Sequence, residues 1–182
     1  ADVLGDGTRA AYFRLYSAFK RHDFHCARTV LRGHAGRIPE EKLLLKASSA
    51  FLGGTSFAGM TCSALTAGAM ALGMGMGEIE RSPLRVLRMV FLILTGGPAF
   101  GDNVNKFNGA MNRGAELAAW FARQYGSTQC RAITKADFAS GADVEAYIEG
   151  DGIPRCQRIA ESVAERVRIM LGENSAAKVE CA

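Results

Sequence analysis

Five cysteines, Cys26, Cys62, Cys130, Cys156 and Cys181, are the residues of this chain best equipped for chemistry. Thiolates attack, oxidise or bind soft metals, and their spacing and surroundings decide which. Here the spacings are 36, 68, 26 and 25 residues, and no C-x-x-C pair occurs. That pattern argues against zinc ribbons, ferredoxin-type four-iron loops and thioredoxin-like sites. With no C-x-x-C-H, covalent c-type haem is excluded at the level of motif. An odd number of cysteines in 182 residues also argues against a disulfide framework.

Four of the five share a local setting. Cys26 follows "HDFH" and opens a short helix. Cys62 follows Thr61 at the end of a glycine-rich loop. Cys130 lies in "GSTQCRAI", three residues after Ser127, a candidate N-cap, and Cys156 comes two residues after Pro154. All four are thus expected in first turns, where unpaired backbone N–H groups and the helix dipole favour thiolate. Arg28, Arg131 and Arg155 stand beside three of them, whereas Cys62 has only hydroxyls and amides nearby, Thr61 and Ser63 among them. Two readings fit: a shared site, such as a buried anionic iron–sulfur cluster, or four separate structural cysteines. His22 and His25 precede Cys26 at i, i+3 spacing. His25 is therefore a candidate alternative ligand, set against a plain pair of part-exposed turn histidines.

The elements that must position these sulfurs are helical almost throughout. Tyr12, Phe13, Tyr16 and Phe19 mark an apolar stripe over 10–21, and a short helix runs from His25 to Leu31. Another opens at Pro39 and ends at Gly53-Gly54. Ser82-Pro83 begins the next, with "MVFLILT" (89–95) read as a core helix. A long helix is expected from about Asn103 to Tyr125, with Phe107, Met111, Ala118, Phe121 and Tyr125 on one face. Asp102, Asn103, Asn105, Lys106, Asn108, Asn112 and Arg113 form its solvated side. The last helix spans 154–171, with Ile159, Val163, Val167 and Met170 inward. Met60, Met70, Met74 and Met76 are read as core filler. The expected fold is all-α, a single-domain bundle of seven to eight helices over 1–182, with loose ends at 1–9 and 173–182.

Apolar residues make up 48% and charged residues 22%, as in a globular domain. The net charge of +4 is spread along the chain without interleaved aromatics, which argues against nucleic-acid binding. Phe51 to Gly77 is 27 residues without a charge, long enough to cross a bilayer. Its seven glycines and several hydroxyls favour a loop followed by a buried helix, so no transmembrane anchor is expected. The start "ADVLGDG", lacking methionine, is compatible with a mature exported protein.

With these blocks in hand, the chain resembles the C-GCAxxG-C-C family of redox-active proteins, related to the cluster-bearing portion of split-Soret cytochromes. "HCARTVL" is similar to the family's first cysteine helix. "FLGGTSFAGMTCSALTAGAMALG" is similar to its glycine loop running into "TCGALTGALMALG". "FARQYGSTQCRAI" matches its third block, and "PRCQRIAESVAERV" its terminal helix. The chain departs from the pattern at Ser63, where the family has glycine, and at Ala67, with the second motif glycine displaced to Gly68. The resemblance covers about 24–170. It implies that Cys26, Cys62, Cys130 and Cys156 are ligands of one iron–sulfur cluster, [2Fe–2S] in type, with Arg28, Thr61, Ser63, Ser127, Arg131 and Arg155 around them. It implies also a homodimer and, with the missing methionine, a periplasmic location. Cys181 lies outside the pattern, and no haem-binding part is matched. The function expected is electron transfer or redox sensing without catalysis, with an unidentified redox partner protein. Rivals are a cluster-free dithiol/disulfide protein and a structural subunit of a redox assembly.

Overall fold

A computed structural model of the chain describes residues 6–34, 41–77, 83–95 and 109–172. The fold is all-α. In chain order the helices are α1 (Asp6–Arg21), α2 (Cys26–Arg32), α3 (Glu41–Ala47), α4 (Ser63–Met76), α5 (Pro83–Leu94), α6 (Gly109–Tyr125), α7 (Cys130–Thr134), α8 (Gly141–Glu149) and α9 (Gly152–Met170). One 3-10 turn, Ser48–Ala50, extends α3. No strand forms among the described residues, and Thr61 and Gln129 make one isolated antiparallel bridge. The expected start of α3 at Pro39, the first part of the asparagine-rich segment, and Cys181 lie outside the described residues.

The uncharged run divides as its composition requires. Glycines and hydroxyls fill the loop at 51–62, and small residues with good helix propensity form α4. No helix among the described residues is long and apolar enough to cross a membrane. Instead α4 is the central helix, packed against α2, α6 and α9, while α1 lies on α8. Its small side chains allow this. A Cβ on Gly68 would lie 2.9 Å from both Leu117 of α6 and Val163 of α9. Val163 and Val167 are fully buried in that seam, and Ile159 and Met170 continue the stripe, as the periodicity of α9 requires.

Four expectations of burial are corrected. In α1 the inward stripe is Ala11, Leu15, Ala18 and Phe19, while Phe13 and Tyr16 are exposed. The larger aromatic rings there mislead, because position on the helix wheel decides which face is inside. Met111 is exposed, and Leu117 joins Phe121 in filling the buried face of α6. Within the expected core helix at 89–95, Val90, Phe91 and Leu94 of α5 are exposed, as are Leu84 and Leu87 before them. Met60, Met74 and Met76 are likewise outside the core.

Gly68 supplies a test of the central seam. Gly68→Val is expected to destabilise the protein by about 1–3 kcal/mol through overpacking. Gly114→Ala, at an α6 position with open space around its Cβ site, should instead stabilise by roughly 0.5–1 kcal/mol. Denaturant melts of the two variants should therefore move in opposite directions.

Candidate functional site

Four separate segments deliver one cysteine each to a common cavity. Its lining is Cys26, Cys62, Cys130 and Cys156 with Gly54, Ser63, Thr134 and apolar neighbours, and it measures about 10 Å³. A space of that size holds roughly one water. None of the four is paired in a disulfide; Cys26, Cys62 and Cys130 are buried and Cys156 is half-buried. Among the described residues, no group of three or more His, Cys, Asp or Glu side chains is arranged to hold a metal ion. The sulfurs thus surround a cavity without clenching a single point.

Helix ends place three of the four sulfurs. Cys26 is the first residue of α2, Cys62 is the N-cap of α4, and Cys130 is the first residue of α7. The fourth departs from expectation. Because α9 begins at Gly152, ahead of Pro154, Cys156 is its fifth residue and lies past the first turn. Proline is accommodated there because first-turn N–H groups have no partner inside the helix.

The loop at 51–62 joins the first three cysteines. Gly53, Gly54, Thr55, Ser56 and Phe57 all have positive φ, between 50 and 70°. The three that are not glycine each cost about 1–2 kcal/mol in that conformation. Phe57 offsets part of this by packing its ring against Tyr12, Phe19 and Phe138, at 5.6, 6.0 and 6.1 Å. At Gly54, with φ +70°, a Cβ would stand 2.7 Å from the Cys130 Cβ, so only glycine fits. Its N–H donates to Ser63 Oγ at 3.2 Å. Backbone bonds close the seam: Cys62 N–H donates to Thr128 O, Cys130 N–H to Met60 O, and Arg131 N–H to Gly59 O, at 2.8, 2.6 and 2.9 Å. Arg155 then ties α9 to α7 by donating to Thr134 O at 3.1 Å.

Electrostatics run against the expectation that helix N-termini hold these sulfurs as thiolates. Burial pushes all four thiols up from their ordinary range. For Cys26 the other three sulfurs push in the same direction, and the Gly53 backbone N–H opposes them. For Cys62 the N–H groups of Leu65 and Ala64 oppose burial. Desolvation wins in each case, so the chain by itself holds neutral thiols at pH 7. A positive group bound in the cavity would supply the missing counter-charge, and its binding would release protons.

The other expected site residues are only partly drawn in. Ser63 lines the cavity. Thr61 is exposed and forms the bridge to Gln129. Ser127 does not cap α7; Gln129 is the N-cap, and Ser127 Oγ accepts its N–H at 3.0 Å. Arg131 pairs with Asp137 at 3.3 Å across an exposed surface. Arg28 donates its backbone N–H to His25 Nδ1 at 3.4 Å, making His25 the N-cap of α2. His25 Nε2 meets Ser49 O at 3.3 Å, so both ring nitrogens are engaged and the ring does not line the cavity. Burial, foremost, lowers its pKa.

Sequence reasoning missed Tyr147 on α8, whose hydroxyl donates to Cys156 Sγ at 3.1 Å. No helix was read at 141–149, although its local signal is present: Ser140 caps it by accepting the Asp143 N–H, and Asp143 sits in the first turn.

The family model described as "Putative redox-active protein (C_GCAxxG_C_C)" matches residues 24–170, a span that includes all four cavity cysteines. The chain belongs to this C-GCAxxG-C-C family. No curated protein and no solved structure matched the chain. The family's name spells out spaced cysteines, and within the matched span four cysteines of this chain line one cavity.

Alkylation of the native, reduced protein at neutral pH tests this burial. Cys156, the most accessible of the four, is expected to react first. Cys26, Cys62 and Cys130 should react more slowly than in the unfolded chain, since burial both covers the sulfur and raises its pKa, which lowers the thiolate fraction. Peptide mapping by mass spectrometry reads each site separately.

Proposed function

We propose that this protein is an electron-transfer or redox-sensing protein whose four cavity cysteines hold one iron–sulfur cluster, [2Fe–2S] in type. The observation that carries the reading is the convergence of Cys26, Cys62, Cys130 and Cys156 on one cavity. The donor set fits such a group in kind: four thiols line the space and no carboxylate or imidazole competes with them. When bound, the cluster supplies one-electron chemistry and the positive iron that turns buried thiols into thiolates.

The chain's own residues do the rest. Backbone N–H groups of Gly53, Ala64 and Leu65 act on two of the sulfurs in the direction that favours negative charge. Burial keeps water away from three of the four. Half-buried Cys156 is the sulfur nearest to solvent and therefore the side from which an electron partner would approach.

Anaerobically purified or reconstituted protein should be coloured and contain iron and acid-labile sulfide. Changing Cys26, Cys62, Cys130 or Cys156 to Ser should each reduce that content, and Cys181→Ser should not. Colourless, iron-free protein that gains nothing on reconstitution would overturn the cluster reading. If it then shows a cysteine pair switching between dithiol and disulfide, the cluster-free redox reading takes its place.

The protein is further proposed to act as a homodimer through α5. A helix of 12 residues is marginal alone in water, and Leu84, Leu87, Phe91 and Leu94 give it an exposed stripe. Light scattering during size exclusion should return twice the chain mass. The double change Leu87→Asp with Phe91→Asp should return a monomer, and a monomeric parent protein would sink the idea.

A further inference from the structure

Cys156 differs from the other three sulfurs in how its charge is met. As the fifth residue of α9 it lies past the first turn of its helix, whereas Cys26, Cys62 and Cys130 stand at helix starts. Its neighbour is a side chain, the Tyr147 hydroxyl at 3.1 Å. That phenol is 5% exposed. A phenol keeps its proton at neutral pH and can donate it in a hydrogen bond.

The ring is held from several sides. Phe138 meets it edge-on at 5.2 Å and 80°, and Phe19 lies at 6.3 Å. On the remaining side Gly152 makes room, since a Cβ there would collide with the ring and with the Tyr147 carbonyl. The turn between α8 and α9 is thus shaped to deliver one phenol to one sulfur. Through Phe19 and Phe138 the same aromatic cluster reaches Phe57 of the left-handed loop.

We propose that Tyr147 is a positioning residue that tunes the redox centre by donating its O–H hydrogen bond to the Cys156 sulfur. The proposal rests on the cluster reading above. A cysteine sulfur bound to iron carries no proton, so the phenol must be the donor. A donor to thiolate stabilises negative charge, and the reduced centre carries one negative charge more than the oxidised one. The bond therefore favours reduction and raises the potential.

The experiment is a spectroelectrochemical titration of reconstituted parent protein, Tyr147→Phe and a site-specific Tyr147→3-fluorotyrosine variant. Iron and sulfide are assayed in each, and thermal melts are run alongside. Tyr147→Phe should load as the parent does and show a lower midpoint potential. Tyr147→3-fluorotyrosine, whose more acidic phenol is a better donor in nearly the same shape, should shift the potential upward. A purely structural role would alter melting but would not move the potential in opposite directions. Loaded variants with unshifted potentials would overturn this proposal and leave the cluster reading intact. Parent protein that holds no cluster would overturn both. Should Tyr147→Phe fail to fold, the fluorinated variant decides alone: an upward shift supports the proposal and no shift overturns it.

Discussion

The site depends on a stretch of backbone wound the wrong way. Five successive residues, 53–57, take positive φ, and three of them have side chains that resist it. What holds the stretch is contact on both sides: Phe57 in an aromatic cluster, and Gly54 pressed against Cys130 with no room for a methyl group. A right-handed course through these residues would not bring Gly53 to Cys26, Gly54 to Cys130 and Cys62 to the head of α4 together. Strain at a functional site, offset by packing around it, is the general pattern this loop follows.

The second governing balance is between dipoles and desolvation. Three sulfurs sit at helix starts, an arrangement that on a surface would lower a thiol pKa. Removal from water outweighs it here, and all four thiols rise. The cavity is therefore poorly suited to nucleophilic thiol chemistry and better suited to ligation, where a metal displaces the proton. Apolar packing from α2, α4 and α9 produces that dry setting, so core and site are one construction.

How far the sequence alone could go follows from these forces. Helices α2, α4, α6 and α9 were legible because proline, glycine and periodic apolar residues mark them, and the α9 stripe is buried as its spacing requires. The family blocks brought the four cysteines together before any geometry did. Three things were hidden. The start of α9 at Gly152 could not be read, because Pro154 offers an equally good first turn. Dependence on Tyr147 was invisible, since nothing local links residues 147 and 156 except the turn between their helices. The exposed stripe of α5 was taken for core because hydropathy records what a side chain prefers, without recording whether a partner lies within the same chain.

The cysteines are dispersed in a telling order along the chain. Cys26, Cys62 and Cys130 precede α9, and the loop seam that joins the last two is complete without it. The same helix that carries Cys156 and the Arg155 clasp to Thr134 also fills the central seam with Val163 and Val167. The wall that closes the cavity is therefore the wall that completes the core, and the cavity cannot be opened along that side without loosening the fold.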